Sequence, residues 1–208
     1  MMRESERLVV RKVLAFTLLY LVLLGVAGRR AGSLQVMIYL GLMALMVPAV
    51  YRVHRRWPLQ SSQLWCLSIW GLLHLAGGLL ASPDPWPAID SFVLLYSWEM
   101  VPGILRYDQV VHAYGFGVST WVSWHLLRSR LRRQDGGALS PSWPLLAFCV
   151  VAGIGFGALN ETVEFITTRF LSGTSIGDYE NTGWDLVANL LGATLAVLLI
   201  RLRSGSSF

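Results

Sequence analysis

Six stretches of this chain are apolar for long enough to cross a lipid bilayer, and that property more than any other decides what it can fold into. They run 8–27, 34–50, 64–81, 109–127, 145–166 and 185–200. Each is near the ~20 residues that a helix needs to span the hydrocarbon layer, with tilt or local thinning accommodating the shorter ones. Where no water can satisfy backbone N–H and C=O groups, only helices and closed barrels are stable, and runs of this length read as helices. The expected fold class is all-α: a polytopic membrane protein with a six-transmembrane-helix bundle, forming a single integral membrane domain over residues 1–208. The stretch 92–105 is also apolar but too short to span, and it holds Glu99 and Pro102, so an interfacial or re-entrant segment is expected there. Composition agrees, since 14% of the residues are charged against roughly 25% in soluble domains.

The basic residues fix an expected orientation. Arg3, Arg7, Arg11 and Lys12 precede the first stretch, and Arg52, Arg55 and Arg56 follow the second. Arg128, Arg130, Arg132 and Arg133 follow the fourth, and Arg201 and Arg203 follow the sixth. If six helices alternate, all of these lie on one face, which is then cytoplasmic together with both termini. Arg29 and Arg30 are the one dissent. A net charge of +5 is thereby explained as a topology signal facing membrane lipids, and no nucleic-acid partner is implied. The first stretch is longer than a signal-peptide core and no A-x-A site ends it, so it is expected to stay as a helix. Cys66 and Cys149 fall inside apolar runs and read as small buried hydrophobes.

Polar residues within these runs are costly, at about 2.5–3.5 kcal/mol for a charge at the centre of an inserted helix. Yet His74, Asp108, His112, Glu161, Glu164, Asp185 and Asn189 all lie within or at the ends of them. With the helices alternating in direction, these residues reach one depth just beneath the outer surface. Asp108 and His112 are i,i+4, Glu161 and Glu164 are i,i+3, and Asp185 and Asn189 are i,i+4, so each pair projects from one helix face. Glycines continue the same stripes at Gly71, Gly78, Gly115, Gly153, Gly157 and Gly192, where small residues let membrane helices approach.

Clustered carboxyl groups repel unless they are protonated, paired or metal-bound. His74, Asp108, His112, Glu164 and Asp185 are the candidate metal ligands, a mixed imidazole and carboxylate set that suits Zn, Mn or Fe. His112, Glu161 and Glu164 are the candidate catalytic residues, as ligands or proton carriers. The polar segment 171–184 leads into Asp185, so Asp178, Tyr179, Asn181 and Thr182, with Asn189, are candidate substrate-binding residues. Each position also has a plainer explanation: His74 and Asn189 as interhelical hydrogen-bonding residues, the glutamates as partners of helix ends or of Arg169.

The motifs H-x-x-G-G at His74–Gly78, R-Y-D-x-x-x-H at Arg106–His112, E-x-x-E at Glu161–Glu164, G-T at Gly173–Thr174, W-D at Trp184–Asp185 and L-G-A at Leu191–Ala193 resemble the YjdF-type family of bacterial inner-membrane proteins. The likeness covers most of the chain from Val50 onward. A weaker one, carried by the acid–histidine helix, the glutamate helix and the final D-x-x-x-N (Asp185, Asn189), is to VanZ-like membrane proteins. Both imply a multi-pass protein, located in the bacterial plasma membrane. Three functions fit the residues: a metal-dependent hydrolase or transferase acting on a lipid or envelope precursor, a proton- or cation-coupled transporter, or a structural or regulatory membrane partner. A transporter needs polar groups past the midplane, and the inner halves of these helices hold few.

Overall fold

The computed structural model describes every residue except 1–3, 31–33, 84–93, 132–135, 171–178 and 206–208. Six α-helices dominate: α1 (Glu4–Arg30), α2 (Leu34–Arg56), α3 (Ser61–Gly77), α4 (Tyr107–Arg130), α5 (Trp143–Phe170) and α6 (Tyr179–Gly205). They divide into two compact units, Met1–Val111 and His112–Phe208, with the division falling inside α4.

In the first unit, α3 packs against α1 and α2 around Tyr20, Tyr39, Leu75 and Tyr96. Gln60 opens α3, its backbone N–H donating to Gln63 Oε1 at 2.9 Å, so the first turn closes on a side chain instead of on water. The preceding turn is closed by His54, whose Nδ1 accepts the Leu59 N–H at 3.1 Å. At the other end, Tyr96 donates to His74 O at 2.6 Å and Tyr107 to Leu73 O at 3.0 Å. Two phenols thus serve carbonyls near the end of α3, and the Tyr96 ring lies where a side chain at Gly77 would be.

The segment expected to be interfacial becomes a 3₁₀ turn at Leu95–Ser97 and a small antiparallel hairpin of β1 (Glu99–Val101) and β2 (Leu105–Arg106), with Glu99 opposite Arg106. Pro102 and Gly103 make its turn: Gly103 has φ +67, and Ile104 N–H returns to Val101 O at 3.0 Å. Proline then glycine with positive φ is the type II pattern, and it explains why this apolar stretch does not continue as helix.

In the second unit, α4 from His112 onward, α5 and α6 pack through small residues. A side-chain carbon at Gly192 would collide with the Ala113 carbonyl, one at Gly117 would press on the Gly192 carbonyl at 3.0 Å, and one at Gly153 would strike Thr120. Such glycines bring helix backbones into contact. Below them Trp124, Leu146, Cys149 and Val197 form an apolar core. Trp124 is 5% exposed and belongs to that core. Both cysteines are free.

Burial is reversed relative to a soluble protein. Asp108, His112, Thr120, Glu161, Asp185 and Asn189 are buried, while Phe148, Val151, Leu159, Phe165, Leu195 and Leu202 are each more than half exposed. A water-soluble chain keeps its charges outside; a chain with apolar flanks and enclosed acids is built for lipid. Among the described residues, α1, α2, α5 and α6 are long and apolar enough to cross a membrane. Neither α3 nor α4 reaches that standard. With 17 residues, α3 is about 26 Å long at 1.5 Å per residue, short of a ~30 Å hydrocarbon core. The 24 residues of α4 suffice in length, but Asp108, His112, Ser119, Thr120, Ser123 and His125 lower its apolarity.

Candidate metal centre

Each helix of the second unit contributes to one enclosed polar group. His112 stands in α4 and is 1% exposed. Glu161 and Glu164 come from α5, the first buried and the second half-buried as a whole residue. Asp185 and Asn189 come from α6 and are both fully enclosed. Local sequence explains the convergence: spacings of three and four residues keep each pair on one face, and glycines on those faces bring the helices close. Gly157 shows this directly, since the Asn189 amide occupies the place a side chain there would need.

The imidazole holds the group together. His112 Nδ1 is 3.2 Å from Asn189 Oδ1 and 3.3 Å from Glu161 Oε1. Two oxygen acceptors facing one ring nitrogen favour a proton on it, which in the neutral ring leaves the lone pair on Nε2. His112, Glu161 and Glu164 each offer one ligand atom, all within 4.8 Å of one another, and His112 and Asp185 also offer atoms within that distance. Ligands bonded to one ion at about 2.0–2.3 Å lie within roughly 4.5 Å of each other, so small adjustments would close this set around a cation.

The acids are held by amides. Asn160 Nδ2 donates to Glu164 Oε1 at 2.9 Å, and Asn181 Nδ2 donates to Asp185 Oδ2 at 2.6 Å. Arg106 lies 3.9 Å from Glu99 across the hairpin, and Arg169 makes no ion pair among the described residues. Three carboxyl groups therefore surround one imidazole with neutral donors behind two of them. That is an electrostatic setting suited to a divalent cation.

The other sequence candidates divide as follows. Asp108 is buried on α4, one turn before His112. His74 belongs to the first unit, its ring 5.0 Å from that of Tyr39, 5.6 Å from Tyr96 and 6.2 Å from Trp70. Tyr179, Asn181 and Thr182, expected in a loop, lie instead in the first turn of α6, which begins six residues before the expected start at Asp185. The extension is reasonable physically, because Glu180 favours the positive end of the helix dipole and Asn181 spends its side chain on Asp185. Tyr179 is 93% exposed. Asp178 lies outside the described residues, as do Asp84, Trp86, Asp90, Arg132, Arg133, Gly173 and Thr174. Asn160 is the residue missed from sequence. Its signal was the spacing N-x-x-x-E, the same as N-x-x-x-D at Asn181–Asp185.

No solved structure and no curated protein matches the chain. A family model described as "Predicted membrane protein (DUF2238)" matches residues 11–205. The buried acids, the apolar flanks and this match agree, and the chain belongs to that family, the YjdF-type membrane proteins.

Proposed function

We propose that this protein is a metal-dependent membrane enzyme of the bacterial plasma membrane, hydrolysing or transferring a group on a lipid or envelope precursor. The observation that carries the reading is the meeting of His112, Glu161 and Glu164, from two helices, with ligand atoms within 4.8 Å in an enclosed setting. Asp185 joins them from a third helix, and Asp108 adds a carboxyl one turn from His112. One imidazole among several carboxylates suits Mn, Fe or Zn. Such an ion supplies a Lewis acid and an activated water. His112 and Glu164 would hold it, Glu161 would accept and return a proton, and Asn189 would orient the imidazole. Residues 179–182, at the head of α6 just before Asp185, would meet the substrate.

Transport is less well supported. The α4 hydroxyls beyond His112 turn back on their own helix: Ser119 donates to Gly115 O, Thr120 to Phe116 O and Ser123 to Ser119 O. Hydroxyls engaged in this way do not extend a polar path.

Metal analysis of the detergent-purified protein beside His112→Ala tests the proposal. The wild type should carry a stoichiometric transition metal and the variant almost none. Equal, trace metal in both would overturn the metal-dependent reading.

A further inference from the structure

Two asparagines stand behind two of the carboxylates, each four residues earlier on the same helix. Asn160 donates to one oxygen of Glu164 at 2.9 Å, and Asn181 donates to one oxygen of Asp185 at 2.6 Å. A third, Asn189, faces the ring nitrogen of His112 at 3.2 Å. The repetition has chemical content. An amide N–H engages one oxygen of a planar carboxylate and so fixes the direction of the other. It does this without adding positive charge, whereas lysine or arginine at the same position would neutralise the acid and compete with a cation. Nor does helix formation call for these residues. Asparagine is a poor helix former, and Asn160 lies well inside the 28-residue α5.

We infer that Asn160 and Asn181 are positioning residues, which orient Glu164 and Asp185 as single-oxygen ligands of the proposed cation; the inference rests on the metal-centre reading above. Partners of this kind behind metal ligands typically contribute 10–100-fold in affinity. The two amides differ in place. Asn160 secures an acid in the middle of a helix. Asn181, at the head of α6, secures Asp185 from the turn that also carries Thr182, so occupancy of the centre and order in that turn should be coupled.

Titration of the full-length, metal-stripped protein in detergent with Mn²⁺, reading free Mn²⁺ by electron paramagnetic resonance, tests this. Asn160→Leu and Asn181→Leu keep the branched shape and remove the donor. Each should weaken binding about 10–100-fold while the stoichiometry at saturation stays as in wild type. Asn160→Gln and Asn181→Gln, which keep an amide, should recover part of the loss. Thr162→Val, which removes an exposed hydroxyl that donates to Ala158 O on the same helix, should bind as wild type. If the leucine variants do not purify, Asn160→Ser and Asn181→Ser replace them, being polar but too short to reach, with the same loss expected. Wild-type affinity in the leucine or serine variants, with binding abolished in His112→Gln, would overturn this inference and leave the metal centre standing. A metal-stripped wild type that takes up none of Mn²⁺, Fe²⁺ and Zn²⁺ would overturn both.

Discussion

At the scale of single residues, the informative contrast is between acids legible in sequence and the groups that hold them. His112, Glu161, Glu164, Asp185 and Asn189 could be picked out because an ionisable or amide group inside an apolar run is expensive, and spacings of three and four put them on shared faces. Their mutual distances could not be read, since His112 and Asn189 are 77 positions apart. The aromatic ring around His74 was equally hidden, because Tyr39 and Tyr96 approach it from remote segments. The centre predicts a clear split between function and folding. His112→Gln and Glu164→Gln preserve approximate volume and polarity while removing ligand strength or proton transfer. They should lose metal and fail to complement a deletion strain, with a melting temperature in detergent close to that of the metal-stripped wild type. Full complementation by both variants would replace the catalytic reading with a scaffold.

Elements meet in the second unit through backbone contact, and this gives a second, independent expectation. Gly192 lies against the Ala113 carbonyl, and Gly155 has nothing near the position of a side-chain carbon. Gly192→Val would force α6 away from α4, an overpacking cost of typically 1–3 kcal/mol and more where backbone must move. Gly155→Ala should instead be neutral or stabilising by up to ~1 kcal/mol, because alanine is the better helix former. Thermal unfolding in detergent measures both. A Gly192→Val protein as stable as wild type would mean that α4 and α6 are not held as described. The glycine stripes were legible in sequence as packing surfaces. Which partner each one meets was not, because a stripe gives a face and no address. Element boundaries failed where composition misleads: the stretch before Asp185 is rich in glycine, asparagine and threonine, yet Tyr179 onward is helical because Asn181 finds its acceptor one turn ahead.

For the molecule as a whole, the number of helices that cross decides on which side the hairpin lies. Four are apolar enough on average and two are not. Average apolarity underrates α4, because Asp108, His112 and Thr120 are buried while Val110 on the same helix is 36% exposed. If α4 crosses, lipid would meet the exposed face, and the enclosed one would not count against insertion. Backbone bonds from Leu79 and Leu80 to Ala76 O close a turn after Gly77, where α3 ends. Charge agrees with six crossings: the stretch 78–106 has Arg106 as its one basic residue beside Asp84, Asp90 and Glu99, as expected outside the cytoplasm. Reporters at Gly136 and Gly205 should score cytoplasmic and one at Ser175 periplasmic, but a four-crossing chain lacking α3 and α4 as spans would give the same result. The hairpin separates the two. Ile104 is 78% exposed at its turn. A lone cysteine placed there, Ile104→Cys with Cys66→Ala and Cys149→Ala, should react with a membrane-impermeant maleimide in intact cells if α3 and α4 both cross. Labelling only after the inner membrane is permeabilised would put the hairpin in the cytoplasm, reduce the crossings to four and remove the outer-face setting in which His112 and its acids are proposed to work.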